Sequence, residues 1–369
     1  MTGLYAHIPF CSVKCFYCDF AAFSGQGKFA DRYLDALEAE AALHPVSSPG
    51  TLYVGGGTPS ELSAAQIQNL FSRLRRAYGQ PRWSEVTFEG NPESLDEDKL
   101  QLLAQEGVTR LSIGLQTADD ALLPAIGRRH TAADFEHAFR AARKAGFQSL
   151  SVDLMFGLPG QTLGSLESTL ERVLALGPEH ISLYGLQVED RTLFAKRSTK
   201  EDPDLSREMF ELSIERLAQA GLEQYEISNF AKPGFRSIHN LNYWRRGEYV
   251  GLGCSAASFY GGRRQTNVER LVAYLEHVEA RRRPLAESET PSGLDALGEE
   301  AFLGLRMIEG FIPSHELREA FKDEWAALAS RSLVREDGGR WRLSREGVFL
   351  ANEVFREFVA PFDREEATA

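Results

Sequence analysis

Between residues 4 and 227, short runs rich in β-forming residues alternate with stretches of helical spacing, and this alternation limits the fold more than any other property. Leu4–His7, Thr51–Val54, Glu85–Glu89, Arg110–Leu115, Leu150–Phe156 and Ile181–Leu186 read as strands. Helical spacing fills 32–43 (with Asp31 as the expected N-cap), 63–78, the stretch after Asp96, 119–126, 132–145 and 164–176. A strand followed by a helix, repeated six times, predicts an α/β fold whose parallel sheet has helical crossovers. Six units are fewer than the eight that close a full barrel, so a partial barrel is expected, with a doubly wound sheet as the competing arrangement. Asp204–Ala220 reads as a further helix and Gln224–Ile227 as a short strand.

Beyond about residue 230 the pattern changes. Residues 231–268 are rich in Gly, Asn, Arg and aromatics, 268–283 are helical, and Glu287–Gly293 reads as a polar linker, with Pro284 shortly before it and Pro291 inside it. Short helices follow from Leu297, then a hairpin turning at Gly338–Gly339, then a last helix. The expected division is a core over 1–230, a connecting region over 231–289 and a small helical, winged-helix-like module over 290–369. The 369 residues are 43% hydrophobic and 25% charged, which supplies a large core. A net charge of −12 argues against nucleic acid as a partner and against a polybasic membrane anchor. No apolar run approaches a membrane span, and residues 1–7 lack the pattern of a signal peptide. No stable membrane insertion is expected, and the cytoplasm is the expected compartment.

Cysteine is scarce here and unevenly placed. Three of the four fall in "IPFCSVKCFYCDF", at Cys11, Cys15 and Cys18, just after the first predicted strand; the fourth is Cys254. Clustered thiols in a reducing compartment point to a soft metal, either zinc or an iron–sulfur cluster. A structural zinc site closes with four ligands, and here no second pair exists, leaving His7 and Cys254 as conceivable fourth ligands. A centre held by three cysteines keeps one metal position for another molecule.

The ends of the later strands carry the other chemistry. "YVGGGTPSEL" follows strand two; it is a tight turn, and also a place where backbone can approach a ligand closely. Glu89 ends strand three in "TFEGNPE", Gln116 ends strand four in "LSIGLQT", and Asp153 lies inside the apolar strand five. An aspartate there is either a satisfied structural carboxylate or a site residue. Arg128, in "IGRRHT", has the geometry to pair a carboxylate bidentately. Parallel α/β folds gather ligands at the carboxyl ends of strands.

The C-x3-C-x2-C loop, with Tyr17 before its last cysteine, resembles the signature of the radical SAM enzymes. "YAHIPFC", "GGGTPS", "EGNPE", "IGLQT", "GRRH" and "DLMFGLPGQT", in this order, resemble the HemN/HemW family within that group over nearly the whole chain. The resemblance implies a radical SAM partial (β/α)6 barrel and a [4Fe–4S] cluster at Cys11, Cys15 and Cys18. It implies S-adenosylmethionine on the fourth iron, contacted by Tyr5, Gly56, Gly57, Thr58, Glu89, Gln116, Arg128 and Asp153.

The family includes oxygen-independent coproporphyrinogen III oxidases and haem chaperones. The oxidases have a further cysteine two residues after the third, where this chain has Phe20, and a long N-terminal extension, whereas here the first cysteine is already at 11. "HNLNYW", 239–244, resembles the H-N-x-x-Y-W of the chaperone type, whose histidine is implicated in haem binding. The expected function is therefore that of a haem chaperone delivering haem to a respiratory protein, with His239 as candidate haem ligand and the oxidase reaction as the alternative. An imidazole can serve as an axial ligand, or His239 can belong to an internal hydrogen-bonded corner. Cys254, in a stretch where the family has small residues, is expected to be a buried small hydrophobe.

Overall fold

A computed structural model describes residues 1–44, 46 and 49–360; residues 361–369, the end of the expected C-terminal module, lie outside the described residues. Six parallel strands follow in chain order: β1 Gly3–Ile8, β2 Thr51–Gly56, β3 Glu85–Gly90, β4 Arg110–Gln116, β5 Ser149–Phe156 and β6 His180–Gly185. Adjacent strands are consecutive in the chain, without the reversal of order that a doubly wound sheet makes. Helices such as Ala64–Ala77, Ala132–Lys144 and Leu163–Ala175 connect them, each opened by a reciprocal cap, at Ser63 with Gln66, Thr131 with Asp134 and Thr162 with Ser165. The first helix, Ala30–Leu43, departs from expectation: a 3₁₀ turn over Gly27–Phe29 leads into it, so Asp31 falls in its first turn and Phe29 takes the cap position. The Asp31 carboxylate instead accepts from Gln66 Nε2 at 2.9 Å, tying the first crossover to the second.

The sheet continues on both sides of these six strands. Beyond β6, β8 (Asn229–Ala231) and β7 (Glu223–Glu226) add antiparallel. On the other side β9, Tyr249–Leu252, lies parallel to β1 with Leu4 opposite Val250. It is followed antiparallel by β10 (Ala257–Tyr260), β11 (Arg263–Asn267) and β12 (Leu285–Glu289). The segment expected only to connect thus contributes four strands to the same sheet, and part of the predicted linker is its edge strand. These strands are only four or five residues long, so they carry little of the alternation by which a strand is read.

The helix Ile238–Trp244 closes the end of the sheet where β1 to β3 begin. The carboxylate of Glu85, at the start of β3, accepts from the Ile238 and His239 N–H groups (both 2.9 Å) and from Ser237 Oγ (3.2 Å). The helix is thereby capped from below by a buried charge. A separate apolar core, with Trp325 and Leu328 on a helix, Phe321 and Phe358 in turns at helix ends, and Val334 and Leu343 on a hairpin (β13 Val334–Asp337, β14 Arg340–Leu343), forms the C-terminal part. It meets the sheet through Arg246 and Arg264 on Glu299, at 2.6 and 2.8 Å, and through the Phe210–Phe349 ring pair at 5.6 Å.

Glu85→Ala leaves two backbone donors and a serine hydroxyl without their acceptor in a buried corner. It is expected to lower unfolding free energy by about 3 kcal/mol, read by urea denaturation.

Candidate functional site

At the carboxyl ends of β1 to β6 lies a cavity of about 530 Å³. The loop that follows β1 forms one wall. Phe10–Cys11 pairs in parallel with Phe23–Ser24, and the residues between are anchored at their centre: Phe16 donates its N–H to Ile126 O and accepts from Phe194 N–H, each at 3.0 Å. The Phe16 ring lies between Phe194 (6.3 Å) and the Arg197 guanidinium (4.5 Å). Cys18 N–H donates to Cys15 O at 3.2 Å, closing a tight turn. Cys11, Cys15 and Cys18, all half-buried, line the cavity together.

The surroundings of these thiols suit metal ligands. Burial pushes Cys11 up to about 11, against the pull of the Thr58 hydroxyl 3.3 Å from its sulfur, and burial raises Cys18 as well. Such thiols ionise readily only when a metal centre takes the place of their protons. Arg128 Nη1 stands 3.7 Å from Cys15 Sγ, a fixed positive charge for a thiolate. Among the described residues no three His, Cys, Asp or Glu side chains stand close enough to hold one metal ion between them. Both conceivable fourth ligands are committed elsewhere. His7 bonds Ala21 O and Tyr5 OH, each at 2.9 Å. Cys254 is fully buried against Tyr33, as a small core side chain, and does not line the cavity.

The glycine run is required by close approach. Gly57 and Thr58 donate their N–H groups to Ile8 O and Phe10 O, both at 2.8 Å, so the end of β2 is zipped to the cysteine loop. A Cβ at Gly57 would sit 2.8 Å from Phe10 O, and one at Gly56, whose φ is +112°, would meet the His7 ring at 2.5 Å. Gly56 N–H donates to Glu89 Oε2 at 3.2 Å, and Tyr53 OH donates to Glu89 Oε1. Burial, reinforced by the nearby Asp153 charge, holds Glu89 up to about 7. Burial also raises Asp153, which accepts from Ser112 Oγ at 2.9 Å while facing the cavity, so it is both satisfied and part of the site. Gln116 has φ +71°, where the pairing of β4 with β5 slips by one residue; this left-handed backbone is costly for a non-glycine residue.

Arg128 has no carboxylate partner among the described residues. It donates to Asn91 Oδ1 at 2.9 Å and to Gly114 O, and its buried Nε has no partner there. The expected bidentate pair is replaced by an amide and a carbonyl because Asn91, directly after β3, reaches it first. Gly56, Gly57, Thr58, Glu89, Gln116, Arg128 and Asp153 all line the cavity with the cysteines. Two predicted residues do not. Tyr5 lies deeper along β1, its ring 6.1 Å from that of Tyr53. His239 lies at the opposite end, fully buried, with Nδ1 2.8 Å from Thr51 Oγ1 and Nε2 2.8 Å from Tyr243 OH. Asn91 and Tyr184, which also line the cavity, were not predicted; Asn91 stood in a quoted motif, and strand alternation along β6 would have found Tyr184.

Comparison with known proteins follows this geometry. The model of the Radical SAM superfamily matches residues 5–173. The chain is 37% identical over 377 residues to the protein named heme chaperone HemW of Bacillus subtilis, covering 97% of this chain and 99% of that one. The chain belongs to the HemW family of radical SAM proteins. Another relative, radical S-adenosyl methionine domain-containing protein 1, mitochondrial, of Bos taurus, is 35% identical over 97% of this chain and 87% of its own. Among solved structures, coproporphyrinogen III oxidase (HemN) from Escherichia coli superposes with a TM-score of 0.84 at 26% identity, covering 97% of this chain and 89% of that chain. That likeness extends through the C-terminal part as well as the sheet.

The ordinary carboxyl value near 4.5 against about 7 in the fold means that folding holds a proton on Glu89. The stability this group contributes is present below pH 4.5 and lost as pH rises through 7, by at most about 3 kcal/mol. Glu40, held near 7 by burial, adds a parallel slope. Metal-free Glu89→Gln protein is expected to show a flatter stability profile than wild type across that range, measured by urea unfolding at a series of pH values.

Proposed function

We propose that this chain is a haem chaperone that carries a [4Fe–4S] cluster on Cys11, Cys15 and Cys18 and binds S-adenosylmethionine beside it. The observation that carries the reading is a shared wall: three thiols and seven of the eight residues expected to contact S-adenosylmethionine border one cavity. The orphaned Nε of Arg128 suits the carboxylate of that molecule. Gly56 and Gly57 border the cavity with no side chain of their own, which lets a ligand lie against backbone. Such a cluster, when bound, supplies one electron toward the sulfonium of S-adenosylmethionine. The protein's share is positional: Glu89 and Asp153 offer acceptors, Thr58 and Arg128 tune two of the thiols, and the apolar walls around Met155 and Tyr17 limit water.

The chaperone reading draws on the relatives that share nearly the full length of the chain under the name heme chaperone HemW. Phe20, where an oxidase of the family would have its further cysteine, is 69% exposed at the cavity. Haem would be passed to a haem-requiring respiratory protein, with the cytoplasm as the place of action; among the described residues no helix is long and apolar enough to cross a membrane. The separate C-terminal apolar core supports a module boundary near residue 290. Haem ligation by His239 would require the helix Ile238–Trp244 to release it, since both ring nitrogens are already bonded. Burial holds that imidazole down to about 3, so it stays neutral, the form a metal takes.

Anaerobically prepared protein is expected to carry iron and sulfide, to lose both in Cys15→Ala, and to bind one haem in a spectral titration without converting coproporphyrinogen III. Turnover dependent on S-adenosylmethionine would establish the oxidase instead, and zinc in place of iron would overturn both readings. His239→Ala is expected to cost about 2 kcal/mol of stability, because Thr51 and Tyr243 lose their buried partner. Haem binding lost in that variant would identify the ligand, provided the temperature of unfolding shows the barrel intact; binding retained would assign His239 to the structural corner.

A further inference from the structure

Asn91 stands between the two side chains that serve the thiols. The turn after β3 places it on the cavity wall, where its Nδ2 lies 3.3 Å from Thr58 Oγ1 and its Oδ1 lies 2.9 Å from Arg128 Nη2. Thr58 Oγ1 is in turn 3.3 Å from Cys11 Sγ, and Arg128 Nη1 is 3.7 Å from Cys15 Sγ. One continuous chain of polar contacts therefore runs from Cys11 through Thr58, Asn91 and Arg128 to Cys15. Thr58 and Arg128 are both buried, so water offers them little alternative.

Chemistry fixes the direction of every bond in this chain. A guanidinium only donates, so the amide oxygen of Asn91 faces Arg128 and the amide nitrogen faces Thr58. The threonine oxygen then accepts from Asn91, and its single hydrogen is left for Cys11, which as a metal-bound thiolate only accepts. Arg128 Nη2 is used on Asn91 Oδ1 and Gly114 O, which leaves Nη1 for Cys15. Asn91 is itself held from behind. Its N–H donates to Ser60 Oγ at 3.1 Å, and its carbonyl accepts from the N–H and the hydroxyl of Ser94, both at 3.1 Å. Lys99 Nζ bonds the carbonyls of Ser60 and Ser94, at 2.8 and 3.1 Å, and ties both turns to the helix Glu97–Gln105. A Cβ at Gly114 would stand 3.0 Å from Arg128 Nη2 and 3.2 Å from Asn91 Oδ1, so the missing side chain there gives the pair its room.

We infer that Asn91 is a positioning residue for the cluster proposed on the cysteine loop, an inference that rests on that cluster. Its one amide aims an O–H at the sulfur of Cys11 and an N–H at the sulfur of Cys15, acting through Thr58 and Arg128. No bond is made or broken in this role. Donors on ligand sulfurs draw charge away from the metal, and they are among the levers by which a protein sets the potential of an iron–sulfur centre.

The test uses the full chain loaded anaerobically with its cluster, with iron and sulfide content measured for each variant. Asn91→Asp keeps the shape and reverses the direction: a carboxylate accepts from the Thr58 hydroxyl, which turns away from Cys11, and pairs with Arg128, which turns away from Cys15. The stretching bands between iron and cysteine sulfur, read by resonance Raman on the oxidised protein, are expected to rise, and the midpoint potential, read by equilibrium titration, is expected to fall. Asn91→Ala removes the aim without adding a charge and is expected to shift both readouts in the same directions. It decides by the same readouts should the Asp variant not hold its cluster. In Thr58→Val protein, which has no hydroxyl to aim, the Asn91→Asp shift is expected to be smaller than in wild type. Bands and potential that stay at wild-type values in both Asn91 variants, with full loading, overturn the inference and leave the proposed function standing. A lower potential in Asn91→Asp with unmoved bands, or a shift undiminished in Thr58→Val, also overturns it, because an added charge alone then accounts for the change. Wild-type protein that holds no iron and sulfide overturns the proposed function and this inference together.

Discussion

The close seam between the end of β2 and the cysteine loop is the constraint on which the site depends. Gly57 and Thr58 pair with Ile8 and Phe10 through backbone alone, at a separation that leaves no room for a Cβ. That seam fixes where Cys11 stands relative to the Thr58 hydroxyl. It also orients Gly56, whose N–H meets Glu89, and so couples the loop after β1 to the ends of β2 and β3. Phe16 ties the same loop to the far side of the cavity through Ile126 and Phe194. A loop with three cysteines would otherwise be mobile; here both of its sides are held by strand ends, and its thiols face one space.

The buried polar groups are arranged by level along the strands. At the lower end, Glu85 caps the plugging helix and His239 is held between Thr51 and Tyr243. Nearby, at the start of β6, His180 is bonded by Ser151 and by Tyr225, whose hydroxyl also accepts from Ser237 N–H. At the upper end, Glu89 and Asp153 have hydrogen-bond donors within the sheet and still face the cavity. A carboxylate there carries a burial cost that its donors only partly offset, which is why both groups are drawn toward their protonated forms. Positively charged or hydrogen-bonding ligands entering this space meet acceptors already positioned.

Much of this was legible in the sequence where physical periodicity is strong. The six central strands and their crossovers declared themselves because a buried parallel strand is a compact apolar run between helices with clear caps. The site residues were legible as a set because they follow strand ends, and the cysteine spacing was specific. The failures have physical causes. The strands β9 to β12 are only four or five residues long, too short to declare a period of their own. Asp31 resembled an N-cap, yet the preceding 3₁₀ turn moved the helix start two residues earlier. Arg128 meets the Asn91 amide through one nitrogen and keeps a free Nε, a pairing set by three-dimensional proximity. His239 sat in a distinctive motif, and no local pattern tells a buried corner from a ligand.

One consequence follows from β9 lying against β1. The strand bearing the cysteine loop leaves the ribosome some 240 residues before the segment near 250 that covers one of its two edges. Until those residues emerge, that edge offers unpaired backbone to any other chain. A nascent chain interrupted before β9 thus holds its three thiols on a half-supported strand.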